Sequence, residues 1–246
     1  MSLGQKISSG VTITKGLYHM DGNSNDSSGN GLNGTDTDMA YSLDPIGQKE
    51  LASFNGTSSR VAIGATTDFV FGGLTPFTIR CLLKGDHSEG ILVSHHRNGL
   101  GVGLGSWSFT KHDAAGAPYY PANCVTLQRS DIGPPWPGYN SAYQTYDPTS
   151  DKRIHVVGVF NPAGLTAGSV QVFIDGNGGT ELDSSSQDTN NYQTYIGCQG
   201  NSISPNPFNF FDGIIDEVII EQATWSKRYI DRDYAQTLGR LAPCVI

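Results

Sequence analysis

Apolar and polar residues alternate in short runs along most of the chain, with turn-forming residues between the runs. In Phe77-Thr78-Ile79-Arg80-Cys81-Leu82-Leu83-Lys84, the side chains of Phe77, Ile79, Cys81 and Leu83 share one face of an extended backbone, because successive side chains of a strand point to opposite sides. The same period marks Val11-Thr12-Ile13-Thr14, Gly16-Leu17-Tyr18-His19-Met20, Leu51-Ala52-Ser53-Phe54 and Ser59-Arg60-Val61-Ala62-Ile63. It continues in Gly90-Ile91-Leu92-Val93-Ser94, Gly101-Val102-Gly103-Leu104 and Tyr195-Ile196-Gly197. Arg153 to Phe160 is predicted to pair with Ser169 to Ile174, which runs into the turn Asp175-Gly176-Asn177-Gly178; Asn55-Gly56 is a second turn signal. A helical period is confined to Ser226–Leu238, with Ser226 as its N-cap. About a dozen strands without intervening helices, and no break in composition, predict one all-β domain over residues 1–246, a two-sheet antiparallel β-sandwich with one short C-terminal helix.

The segment Asp212-Gly213-Ile214-Ile215-Asp216-Glu217-Val218-Ile219-Ile220 reads as a buried strand that carries an acidic residue, Asp216, among Ile and Val. A carboxylate in that setting has to be hydrogen-bonded, paired or metal-bound, because an unpaired buried charge costs several kcal/mol or more. The Asp/Asn-rich run Asp21-Gly22-Asn23-Ser24-Asn25-Asp26-Ser27-Ser28-Gly29-Asn30-Gly31 would reach it if the N-terminal strand paired beside the C-terminal one.

The balance of charge narrows the partners. The formal net charge is -8, and the basic residues are scattered, so no Lys/Arg cluster could track a phosphate backbone and nucleic acid is not expected. No apolar run approaches the roughly 18 residues of a membrane span, and Met1 to Lys6 lacks the apolar centre of a signal peptide. Cys81, Cys124, Cys198 and Cys244 are widely spaced and contain no C-x-x-C pair, which argues against a thiolate zinc site and leaves the disulfide state open.

The order of several motifs resembles the laminin G-like jelly roll of the concanavalin A-like lectin and glucanase group, in its bacterial and phage form. The matching pieces are Tyr18-His19-Met20-Asp21-Gly22-Asn23, Asp26 to Gly34, Ala52-Ser53-Phe54-Asn55-Gly56, Phe77-Thr78-Ile79, Ile154-His155-Val156-Val157-Gly158, Val172-Phe173-Ile174-Asp175-Gly176, Tyr195-Ile196-Gly197 and Phe211 to Val218. The resemblance runs from about residue 16 to 235. It implies a jelly-roll sandwich and a structural Ca²⁺ where the two chain ends meet. Ca²⁺ takes carboxylate, amide and carbonyl oxygens, and Asp21, Asn23 and Asp216 are the expected ligands; the other reading is that the Asp/Asn run only folds a loop through side-chain-to-backbone bonds. An EF-hand is excluded, because Asp26 stands where that loop needs Gly and Leu32 where it needs Glu.

The stretch from Ser106 to Tyr146 departs from the family and is expected to be an aromatic, Pro-rich insert. Trp107, Tyr119, Tyr120, Trp136 and Tyr139 are its candidate ligand-binding residues, since Tyr and Trp combine a flat apolar face with a polar tip. Such rings suit a sugar, a protein neighbour or a private mini-core, and the sequence leaves the three open. His95 and His96 are adjacent and so face opposite ways on a strand, while His87 and His112 have no readable partner. Enzyme chemistry is not expected. The related laminarinase-type enzymes carry a Glu-x-Asp-x-(x)-Glu strand, which is missing, and neither a G-x-S-x-G nor an H-E-x-x-H motif occurs.

The expected function is a non-catalytic recognition or adhesion module, extracellular or on a virion surface, with a glycan as partner. The alternative is a phage decoration or tail-associated protein that contacts a neighbouring virion or surface protein. Homo-oligomerisation is left open.

Overall fold

The computed structural model describes residues 13–43, 50–84, 89–95, 97–98, 107–115, 120–129, 140–147, 152–164, 168–183, 191–201 and 207–241. In chain order the strands are β1 (Ile13–Tyr18), β2 (Gly34–Thr37), β3 (Ala40–Leu43), β4 (Glu50–Asn55), β5 (Arg60–Ile63), β6 (Phe77–Lys84), β7 (Gly90–His95), β8 (Arg97–Asn98) and β9 (Trp107–His112). They continue as β10 (Cys124–Arg129), β11 (Asn140–Thr145), β12 (Ile154–Asn161), β13 (Ser169–Ile174), β14 (Asn177–Gly178), β15 (Leu182–Asp183), β16 (Thr194–Ile196), β17 (Gly200–Asn201) and β18 (Asp212–Gln222), before helix α1 (Lys227–Leu241).

Two antiparallel sheets make the sandwich. One is 9-stranded, in the order β14-β13-β12-β6-β18-β4-β3, with β1 on β18 and β15 on β13; the other is 7-stranded, in the order β11-β10-β9-β7-β16-β5-β2. The chain ends meet as the sequence predicts: β1 runs antiparallel to β18, with Tyr18 opposite Val218. The predicted β12–β13 hairpin pairs Phe160 with Val170 and Val156 with Ile174. Beyond it, Asp175 (φ 49) and Gly176 (φ 79) form the two-residue turn into β14, the left-handed pair that a tight hairpin requires. The helix begins where expected, with the Ser226 hydroxyl accepting from the Tyr229 N–H at 3.3 Å. The predicted strand at Gly101 to Leu104 lies outside the described residues.

The inward faces of both sheets enclose one apolar core. Phe77, Ile79, Cys81 and Leu83 of β6 all enter it, together with Phe109, Val125, Leu127, Val172, Ile196 and Ile220. Phe71 and Phe77 stack at 4.8 Å, and the Trp107 ring lies within about 6 Å of both, at 6.1 and 5.9 Å.

A second apolar cluster, Val157, Val159, Phe173, Trp225 and Ile230, lies on the outer face of the larger sheet under α1. Arg80 is buried there at 2% exposure. It donates to the Glu217 carboxylate at 2.8 Å, to Asp233 at 3.1 Å and to the Thr237 hydroxyl at 2.9 Å. His155 Nε2 lies 2.7 Å from the same Asp233 oxygen, so one cation and one imidazole tie the helix to the sheet. A β-bulge makes this arrangement possible. Glu217 takes a left-handed backbone (φ 44), and the β18–β6 register shifts between Asp216 and Ile219. Ile215 and Val218 therefore both face the core, with the two acids turned outward between them.

Candidate binding surface

The stretch expected to be an aromatic insert supplies three adjacent strands of the smaller sheet, β9, β10 and β11. Tyr- and Pro-rich segments stand between these strands and hide them, although the polar outward positions Ser108, Thr110, Thr126 and Gln128 alternate with apolar ones as a strand requires. Trp107 is corrected by its position: it is 1% exposed, packs among core rings and donates its indole N–H to the Phe69 carbonyl at 3.1 Å. It is a core residue and presents no surface to a ligand. Tyr119, Trp136 and Tyr139 lie outside the described residues. Of the expected ligand contacts, Tyr120 is the one placed by the structure at the surface, half-buried beside β10.

Tyr120 lies flat on His112, with ring centroids 3.8 Å apart and planes 26° from parallel. His112 ends β9 on the outward face of the sheet, opposite Cys124. Its Nδ1 is 3.1 Å from Glu89 Oε1 and its Nε2 is 3.1 Å from Thr126 Oγ1. A carboxylate can only accept, so Nδ1 carries the proton, and neutral Nε2 accepts from the Thr126 hydroxyl. Burial drives the His112 pKa below its ordinary value, against the opposing pull of Glu89. Both ring nitrogens are thus held, and the imidazole cannot turn without losing a partner. Glu89 precedes β7 and keeps its side chain 55% exposed. Cys124, the cross-strand partner of His112, donates its thiol to the Pro121 carbonyl at 3.1 Å, and burial pushes its pKa up to about 12.

This group was legible only in part from sequence. His112 showed no partner there, because Glu89 and Thr126 are brought to it by the β7–β9–β10 pairing. The available signal was the polar alternation Ser108, Thr110, His112, which marks an outward strand face. His95, by contrast, is fully buried, with Nδ1 2.8 Å from the Thr194 hydroxyl; His96 and His87 lie outside the described residues.

The expected calcium ligands are held by protein partners. Asp216 is 1% exposed and accepts from Arg153 Nη1 at 3.1 Å. Asn23 donates to the Asp21 carbonyl at 3.1 Å and accepts from the Asn25 N–H at 2.9 Å, while Asp21 is exposed. The hub of the loop is Asp26, which accepts from the N–H groups of Leu17, Ser28 and Leu32 at 3.0, 2.9 and 3.0 Å and from the Ser28 hydroxyl at 2.8 Å. Burial works to raise its pKa, but these donors outweigh it and hold the carboxyl below the ordinary value. Among the described residues, no group of three or more His, Cys, Asp or Glu is placed to hold a metal ion. Asp216 is thus engaged through Oδ2 by Arg153, and Asn23 through its Asx turn, which is the loop-folding role the sequence also allows for the Asp/Asn run.

No family model matches the sequence, and no curated protein matches it. Solved structures do match its fold. Domain 4 of AbnA, a GH43 extracellular arabinanase from Geobacillus stearothermophilus in complex with arabinotriose, aligns with a TM-score of 0.62 at 15% identity, over 92% of this chain and 99% of that domain. The binding domain of Paraclostridial Mosquitocidal Protein 1 aligns at 0.64 and 13% identity, and the Botulinum Neurotoxin Type G receptor binding domain at 0.60 and 12%. The chain spans about half of each toxin domain, 52% and 50% respectively. At these identities the likeness is one of fold, a β-sandwich shared with binding domains. Among the described residues, no helix is long and apolar enough to cross a membrane.

Proposed function

We propose that this chain is a non-catalytic recognition module of the laminin G-like kind, that its ligand is a carbohydrate, and that Tyr120 and Glu89, both held in place by His112, form the contact point. One observation carries the reading: a half-buried tyrosine ring stacked at 3.8 Å on an imidazole fixed at both nitrogens, beside an exposed carboxylate. A flat aromatic face suits the C–H face of a sugar, and a carboxylate with two acceptor oxygens suits neighbouring hydroxyls. Because the rings are already held, binding orders little that was free. The fold shared with an arabinanase domain seen with arabinotriose and with toxin binding domains supports a binding role.

Three of the four carboxylates of β18 support the absence of catalysis. Asp216 pairs with Arg153 and Glu217 with Arg80, and Glu221 accepts from the Trp225 indole at 2.6 Å. Glycoside hydrolysis needs two carboxyl groups facing one bond, and these three face structural partners instead. The connectivity Glu89–His112–Thr126 is that of an acyl-transfer relay, but Thr126 is 3% exposed and Tyr120 covers the imidazole, which closes the approach of a substrate carbonyl.

The test is calorimetric titration of the full chain with a panel of oligosaccharides that includes arabinotriose, repeated with Tyr120→Ala. Binding that drops by about tenfold or more, with stability within about 1 kcal/mol of wild type, is expected of a surface contact of this size. Unchanged sugar binding in Tyr120→Ala refutes the contact point, and release of reducing sugar by the purified protein refutes the absence of catalysis.

A further inference from the structure

The charges that face Tyr120 and His112 are of one sign where ligand can reach them. Glu89 is the exposed member, at 55% of its side chain. Asp113 follows β9 and also acts on His112. The cation facing the group among the described residues is Lys111, whose side chain is 2% exposed and bound to Asp113 at 2.6 Å. Tyr146 donates its hydroxyl to the same Asp113 oxygen at 2.8 Å and lies 5.2 Å from the Lys111 ammonium, closing that pair from the other side. Lys111 and Asp113 therefore neutralise each other below the surface. His112 is uncharged, since burial disfavours its cation, and burial likewise keeps the Cys124 thiol and the Tyr120 phenol protonated. Among the described residues, what remains to meet a ligand is one exposed carboxylate, hydrogen-bonded to uncharged His112, beside an aromatic face, on a chain of net charge -8.

We propose that the Tyr120–His112–Glu89 site takes neutral or cationic sugars and rejects anionic ones such as sialylated, uronate or sulfated glycans. The inference rests on the carbohydrate-binding reading and adds to it the class of sugar. An exposed carboxylate accepts hydroxyl or ammonium protons and offers a second carboxylate nothing but repulsion, and among the described residues no accessible guanidinium or ammonium stands in the group to reverse the sign. Two like charges about 5 Å apart in a half-solvated site repel strongly enough to weaken binding by roughly tenfold or more.

Matched ligands separate the outcomes. The full chain is titrated with lactose and 3′-sialyllactose, which differ by one anionic residue, and with chitotriose and its deacetylated, cationic counterpart. The expected result is binding of the neutral or cationic member at least about tenfold tighter than the anionic one, with the cationic advantage shrinking as salt is raised. Glu89→Gln, which keeps a hydrogen-bonding group beside His112, should weaken the cationic ligand and narrow the gap between lactose and sialyllactose. Equal or tighter binding of the sialylated partner, lost in Tyr120→Ala, overturns the charge inference and leaves the site standing. Sugar binding indifferent to both variants overturns the site, and failure to bind any member of the panel overturns the carbohydrate reading together with this inference.

Discussion

Replacing Arg80 by Met should remove the clamp that holds α1 to the larger sheet. The guanidinium is 2% exposed and stands between Glu217 and Asp233, whose side chains are 11% and 17% exposed. Methionine retains much of the aliphatic volume, so the change isolates the charge. Two largely buried carboxylates would then face each other, with His155 still serving Asp233 and His19 3.8 Å from Glu217. Breaking a buried pair by removing one partner costs about 3–5 kcal/mol, because the remaining charge is stranded. In a chain of this length each kcal/mol lowers the melting midpoint by about 2–4 °C, so a fall of about 6–20 °C is expected. Urea unfolding gives the free energy, and limited proteolysis at the end of α1 reports whether the helix detaches before the sandwich melts. Arg80→Lys, which keeps the charge but loses the fork that reaches Thr237, should fall between the two. A loss below about 1 kcal/mol in Arg80→Met, the value of an exposed ion pair, would refute the clamp.

Trp107→Ala should lose about 3–5 kcal/mol in urea unfolding, as for a large core ring, and a loss below about 1 kcal/mol would place it at the surface. Stability should fall with acid in two stages. His112 has a folded pKa below its ordinary 6.5, so the folded state takes up its proton less readily than the unfolded chain; its contribution is present above that value and lost as pH falls through the folded one. Burial works to raise the Asp233 pKa, but the His155 hydrogen bond and the Arg80 charge outweigh it, so its contribution is present above 3.8 and lost at still lower pH. Urea unfolding across pH should show a shallower first stage in His112→Gln and a shallower second in Asp233→Asn. Melting midpoints in EGTA and in millimolar Ca²⁺ should coincide if the Arg153 pair is what satisfies Asp216; a calcium-dependent rise that vanishes in Asp216→Ala would show that an ion is held at that carboxylate.

Period-two alternation and turn chemistry carry the all-β sandwich by themselves. The inward face of β6, the β12–β13 hairpin with its Asp175-Gly176 turn and the Ser226 cap are local in sequence, and local rules place them. The need for a partner at Asp216 was equally legible, because a charge among Ile and Val has few options. Which partner it takes was not: Arg153 reaches it only after β12, β6 and β18 lie side by side. The same holds for Trp107, which the sequence groups with an aromatic insert until the β7–β9–β10 pairing turns its ring into the core. Glu89, His112 and Thr126 stand far apart along the chain and carry no shared motif. Backbone pairing brings them together, and side-chain chemistry written in a single strand holds no record of the strand beside it.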